Sequence, residues 1–156
     1  MSETLPRFVG SVLDRLWDDG TEDRTRPSRA VHAALRRDLE ALLNARRPWA
    51  SVPDRLAVLR RGIFGYGLPD FATGAFNAPA QREALCREIE LAIQRFEPRL
   101  RNASVKLLDR IDHMDPVLRV RIEGVLMNQA EEEAVGFETL LDATTTDLIV
   151  RPAARV

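Results

Sequence analysis

Cysteine is nearly absent from this chain: Cys86 stands alone among 156 residues. A single thiol excludes an intrachain disulfide and any zinc site built from several cysteines, and it fits a reducing compartment. Lysine is equally scarce, because Lys106 is the one lysine and arginine supplies every other basic side chain. Aromatics make up 6%, poor material for the stacking platforms that hold nucleic acid strands. Neither sign of charge prevails: 23 basic and 24 acidic residues leave −1, so no overall field draws the chain to nucleic acid or anionic lipid. No apolar run nears the ~20 residues that span a bilayer. The first ten residues lack the charged head and apolar stretch of a secretory signal. A cytoplasmic protein that does not insert into a membrane is expected.

What is present is an ordinary globular balance, 45% hydrophobic and 30% charged, at a length that suits one domain with its own core. Phe8, Val9, Val12, Leu13, Leu16 and Trp17 recur at helical spacing. The polar stretch 18–27, broken by Gly20 and Pro27, separates that amphipathic helix from the body. Ser28 is a suitable N-cap for a second helix whose apolar stripe is Val31, Ala34, Leu35, Leu39, Leu42 and Leu43. Arg29, Arg36, Glu40 and Arg47 fall near its opposite face, since steps of seven and eleven nearly close whole turns. Pro48 marks its end. A short helical stretch follows through Leu56, Val58 and Leu59, then a glycine-rich segment, 62–71, with more apolar weight than a solvent loop carries. Asn77 can cap a further helix with Pro79 in its first turn; Leu85, Ile89, Ile93 and Phe96 are its stripe.

Beyond Pro98 the period changes to two. Ala103, Val105 and Leu107 form one alternating set; Leu118, Val120 and Ile122 a second; Val135, Phe137, Thr139 and Leu141 a third; Thr146, Leu148 and Val150 a fourth. Residues 112–116 and 128–133 read as turns. Gly124 sits on the inward phase, which predicts a bulge or a close backbone approach. Helices first and a meander afterwards predict an α+β fold, with N-terminal helices on one face of a small antiparallel or mixed sheet. The expected division is 1–27 for the first helix and linker, 28–150 for the α+β domain and 151–156 for a tail.

Chemistry-bearing clusters are few. His32 and His113 are far apart with no cysteine or carboxylate pair at ligand spacing, so neither metal nor cofactor is expected. Cys86 lies beside an apolar stripe with no base in view. The run 131–133 of glutamates reads as a soluble turn. The informative cluster is Arg95-Phe-Glu-Pro-Arg-Leu-Arg101. Glu97 precedes a proline at a helix end, where a carboxylate opposes the negative pole of the dipole. Arg95, Arg99 and Arg101 can offset it. Two readings remain: an ion-pair cluster that tidies a terminus, or Glu97, Pro98 and Arg99 held at a corner to pair with another chain. A glycosidase needs a second carboxylate across a cleft, and no motif nominates one.

Four stretches occur in order: 37–47 with Arg46-Arg47, Tyr66-Gly67-Leu68-Pro69-Asp70-Phe71, 89–100 containing Glu97-Pro98-Arg99, and 135–139. Together they resemble the TssE family, small baseplate subunits of bacterial type VI secretion systems related to a phage tail wedge protein. The resemblance covers about 28–142 and departs at Gly62 and Gly65, where relatives often carry Ser and Asn. It implies a non-enzymatic part of a contractile injection machine, cytoplasmic and docked at the inner membrane. The implied partners are the wedge proteins TssF, TssG and TssK and the sheath proteins TssB and TssC, with Glu97, Pro98 and Arg99 at the contacts. The fold is expected to be similar to the interlocking domain of the sheath subunit. Some members once carried a lysozyme-like label, which does not transfer. The competing reading is a regulatory adaptor that binds one protein through the Arg29, Arg36 and Arg47 face.

Overall fold

The computed structural model describes residues 27–47, 54–70, 78–108, 117–127, 132–142 and 147–153. Helix α1 (Pro27–Asn44) buries Val31, Ala34, Leu35, Leu39, Leu42 and Leu43, the whole stripe that its spacing predicts. It begins with Pro27 in the first turn, where the missing N–H costs nothing; Ser28 therefore lies inside the helix and is not its cap. A 3-10 turn (Asp54–Leu56), helix α2 (Ala57–Arg61) and a second 3-10 turn (Ile63–Gly65) follow. Helix α3 (Pro79–Phe96) sinks Leu85, Ile89, Ala92 and Ile93, with Phe96 half-buried at its end. Its cap is Ala78, which makes no side-chain bond; Asn77, Phe71 and His113 fall outside the described residues.

Four antiparallel strands complete the domain: β1 (Leu100–Leu107), β2 (Val117–Met127), β3 (Glu132–Asp142) and β4 (Leu148–Pro152), in spatial order β1-β2-β3-β4. The fold is α+β, and α1 and α3 cover one face of the sheet. That face is the alternating set Ala103, Leu118, Val120, Ile122, Val135, Phe137, Thr139, Leu141, Leu148 and Val150. The other face carries charge, as in Lys106–Glu123 and Arg121–Glu123. Strand β3 begins at Glu132, so Glu132 and Glu133 belong to the ladder and not to a turn; Glu133 pairs with His32 at 2.9 Å. Strand β4 extends through Pro152, two residues past the expected end of the domain at 150.

Gly124 shows how the sheet meets its helices. A Cβ there would lie 2.7 Å from Leu100 Cδ1, so only glycine lets the first residue of β1 press onto β2. The predicted close approach is present. The irregularity in pairing is on the neighbouring strand, between Arg101 and Ser104, where Asn102 takes φ 51°.

Candidate functional site

The chain turns from α3 into β1 at Glu97-Pro98-Arg99. Glu97 ends the helix with φ −122°, ψ 75° and donates its N–H to Ile93 O at 2.8 Å. Pro98 then bars a further helical turn, and Leu100 N–H returns to Glu97 O at 3.1 Å. Glu97 is only 5% exposed. Its carboxylate accepts from Arg99 Nε at 2.6 Å and from Arg99 Nη2 at 2.5 Å, a two-pronged match of planar fork to carboxylate. Arg99 Nη2 also donates to Asp38 Oδ2 on α1 at 2.6 Å. One guanidinium thus ties the end of α3, the start of β1 and the middle of α1. Hydrogen bonding to Glu97, opposed by burial and then helped by Asp38, pushes the Arg99 pKa above its already high ordinary value.

Of the three arginines around Glu97, only Arg99 answers its charge. Arg95 lies 6.0 Å over the Phe96 ring and Arg101 is exposed. Within the chain, Glu97 and Arg99 pair with each other while Arg99 Nη1 is buried without a hydrogen-bond partner among the described residues, and Pro98 is the exposed member of the tripeptide. Both oxygens of Glu97 accept hydrogen bonds from Arg99.

The Tyr66–Asp70 stretch braces the same corner. Tyr66 meets Phe96 edge-on with ring centroids 5.3 Å apart. Burial raises the Tyr66 pKa, and the charges of Asp38 and Glu97 raise it further. Gly67 adopts φ +93°, and a Cβ there would lie 2.3 Å from Ala45 O, so the backbone passes where no side chain fits. Leu68 is then buried and bridges Arg46: Leu68 N–H donates to Ala45 O at 2.9 Å and Arg47 N–H to Leu68 O at 2.8 Å. Pro69 is half-buried and Asp70 exposed. Arg46-Arg47, Tyr66-Gly67-Leu68 and Glu97-Pro98-Arg99 therefore form one assembly in space.

A profile of the family described as baseplate wedge protein gp25 matches residues 29–131. The chain belongs to the gp25 baseplate wedge family. Members are structural baseplate proteins, and the matched span contains all but the first two residues of α1, together with α3, the Glu97–Arg99 corner and the first two strands. No curated protein matches the chain.

Two features of this wedge domain escaped sequence reasoning. Asp38 lies 61 residues from Arg99 in sequence, and nothing in its helical neighbourhood marks it as a partner. Asn44 closes an edge of the sheet: its Nδ2 donates to Leu148 O at 2.8 Å while its Oδ1 accepts Leu148 N–H at 2.9 Å. A side-chain amide thereby stands in for a neighbouring strand. Arg36 Nη1 makes a longer contact, 3.5 Å, with Val150 O on the same edge. Of the expected Arg29, Arg36 and Arg47 face, the side chain of Arg29 lies outside the described residues, and Arg36 and Arg47 part company. The helix ends at Asn44, so the eleven-residue step no longer applies. Arg47 turns to Glu88 at 2.5 Å, and Arg36 serves Val150 and Glu40.

The opposite edge differs. Leu108 N–H donates to Arg119 O and Met127 N–H to Arg99 O, both at 2.8 Å. Residues of an antiparallel strand alternate between facing their partner and facing away. Val105 and Leu107, out of phase with Leu108, therefore turn their N–H and C=O groups away from β2, and no backbone partner meets them among the described residues.

Proposed function

We propose that this chain is the TssE-type wedge subunit of a type VI secretion baseplate. It joins TssF, TssG and TssK and helps to start polymerisation of the TssB–TssC sheath on the cytoplasmic side of the inner membrane. The observation that carries this reading is the asymmetry of the sheet: Asn44 fastens the β4 edge, while β1 keeps outward donors and acceptors at Val105 and Leu107. Such an edge accepts an extended strand from another subunit, main-chain bonds supplying affinity and side chains supplying register. The Glu97–Arg99 corner lies directly before β1. It fixes the direction in which that strand leaves the helix layer and presents Pro98 to the neighbouring subunits.

The test is Val105→Pro, which deletes one outward N–H and disturbs no bond to β2. The variant should co-purify with the other wedge proteins and fail to support fluorescent sheath extension in cells. Normal sheath extension by a stably expressed variant would sink the strand-addition reading. Failure of the unaltered chain to co-purify with any wedge protein would sink the assignment to the baseplate.

A further inference from the structure

No described helix covers the face of the sheet turned away from α1 and α3, and the side chains on that face line up in rows. Register places Arg119, Leu140 and Ile149 in one row across β2, β3 and β4. Lys106, Arg121, Glu138 and Arg151 make the next, which crosses all four strands, and Ser104, Glu123 and Gly136 a third. These rows carry four cations against two carboxylates, although the whole chain is almost neutral.

The excess is poorly answered inside the chain. Lys106 lies directly opposite Arg121, and like charges so placed repel across the ladder. One carboxylate serves both: Glu123 stands 3.1 Å from Lys106 Nζ and 3.2 Å from Arg121 Nε. It does not complete Arg121, whose Nε is buried without a hydrogen bond among the described residues. Arg119 and Arg151 are exposed and form no ion pair among the described residues. Beside them on the same face are Leu140, half-buried, and Ile149, 47% exposed.

The complement of such a face is a surface with carboxylates on both sides of an apolar stripe. A phosphate backbone fits less well, because Glu123 and Glu138 interrupt the cations and no aromatic ring lies in the rows for a base to stack on. An amphipathic helix presents the required pattern, a stripe with charge along its flanks, and helices already close the opposite face. We infer that the outer face of β2–β4 binds an acidic amphipathic helix of a partner protein. Its apolar stripe rests on Leu140 and Ile149 and its carboxylates meet Arg119 and Arg151, the charge pairing fixing its orientation. This site is a face and not an edge. Val105→Pro leaves its four contact residues in place, so strand addition at β1 and helix binding here can each fail alone.

Nuclear magnetic resonance titration of the full chain tests the inference, with a short helical peptide whose glutamates flank a leucine stripe as the probe. Saturable shifts are expected at Arg119, Leu140, Ile149 and Arg151, with α1 and α3 unmoved. Arg119→Gln combined with Arg151→Gln should weaken binding about tenfold while the urea midpoint stays unchanged. Should the pair lower that midpoint, Arg119→Gln alone takes its place. Glu138→Gln removes a carboxylate that opposes the ligand and should tighten binding several-fold, a change of sign that a merely structural role does not give. Both effects should shrink as salt rises. Absence of saturable shifts on this face, affinity untouched by the arginine substitutions, or tighter binding of a single-stranded oligonucleotide than of the peptide would each overturn the inference.

Discussion

The two edges of the sheet end in opposite ways. At β4 the backbone of Leu148 is satisfied by a single helix residue, Asn44, which both donates and accepts. At β1 the backbone of Val105 and Leu107 faces outward without such a partner among the described residues. Both edges belong to one antiparallel sheet covered by the same two helices, so burial does not distinguish them. The difference lies in where the helices end: the last residue of α1 reaches β4, whereas α3 turns at Glu97 and becomes β1 itself. An edge that is capped contributes stability. On the proposed reading, an edge left open serves as a site when the corner before it is rigid.

The largest expected effect is at that corner. Glu97→Ala strands Arg99 in a half-buried position with only Asp38 to answer it. Removing one member of a buried pair costs several kcal/mol; with Asp38 retained, about 3 kcal/mol is expected, seen as a fall of roughly 6–12 °C in Tm. Glu97→Gln keeps the shape and one acceptor and should lose about half as much. Equal losses for Ala and Gln would show that charge alone matters. Asn44→Ala comes next. It opens the β4 edge and leaves the N–H and C=O of Leu148 unpaired, costing about 1–3 kcal/mol. Hydrogen exchange should quicken at Leu148 and leave β1 unaltered, making the two edges alike.

The sequence revealed the helical stripes and the alternation because each is a local period: every apolar position assigned to α1 is buried, and so are Leu85, Ile89 and Ile93 of α3. What escaped it was pairing across distance. Asp38 and Arg99 meet 61 residues apart, and Asn44 and Leu148 meet 104 apart, separations that leave no trace in composition or spacing. The two readings of the Glu97 cluster could not be separated for the same reason, since the carboxylate's burial depends on α1 arriving beside it. The glycine-rich stretch shows the limit from the other side. Its apolar weight did announce order, and Leu68 is buried, yet Ile63 a few residues earlier is 82% exposed. Hydrophobicity without a period does not say which residues face inward.

Thr139 offers a smaller test within the sheet. It is fully buried on the helix-facing side of β3, opposite Val150 of the fastened edge strand, and its hydroxyl has no hydrogen-bond partner among the described residues. A buried hydroxyl without a bond is a cost with no return. Thr139→Val keeps the branched shape that strands favour and should raise stability by about 1 kcal/mol in urea unfolding with an unchanged slope. A loss instead of a gain would mean that the hydroxyl is bonded in solution.

The smallest effect expected on stability is also the one most specific to the open edge. Val105→Pro deletes an N–H that bonds no other backbone group among the described residues, so the ladder to β2 survives through Ser104, Lys106 and Leu108. The cost should be about 1 kcal/mol, because proline is tolerated on edge strands where its missing donor faces solvent and the partly buried Val105 gives up only part of its packing on the core. The same substitution at Leu148 removes a donor that Asn44 holds at 2.9 Å together with a fully buried core side chain, and should cost about 3 kcal/mol or more. Urea unfolding of the two variants beside Asn44→Ala, which opens the same bond and leaves the Leu148 side chain in place, measures the asymmetry. If the proline at 105 proves as damaging as the one at 148, then the outward N–H of β1 already has a partner inside the chain, and the edge is not open to another subunit.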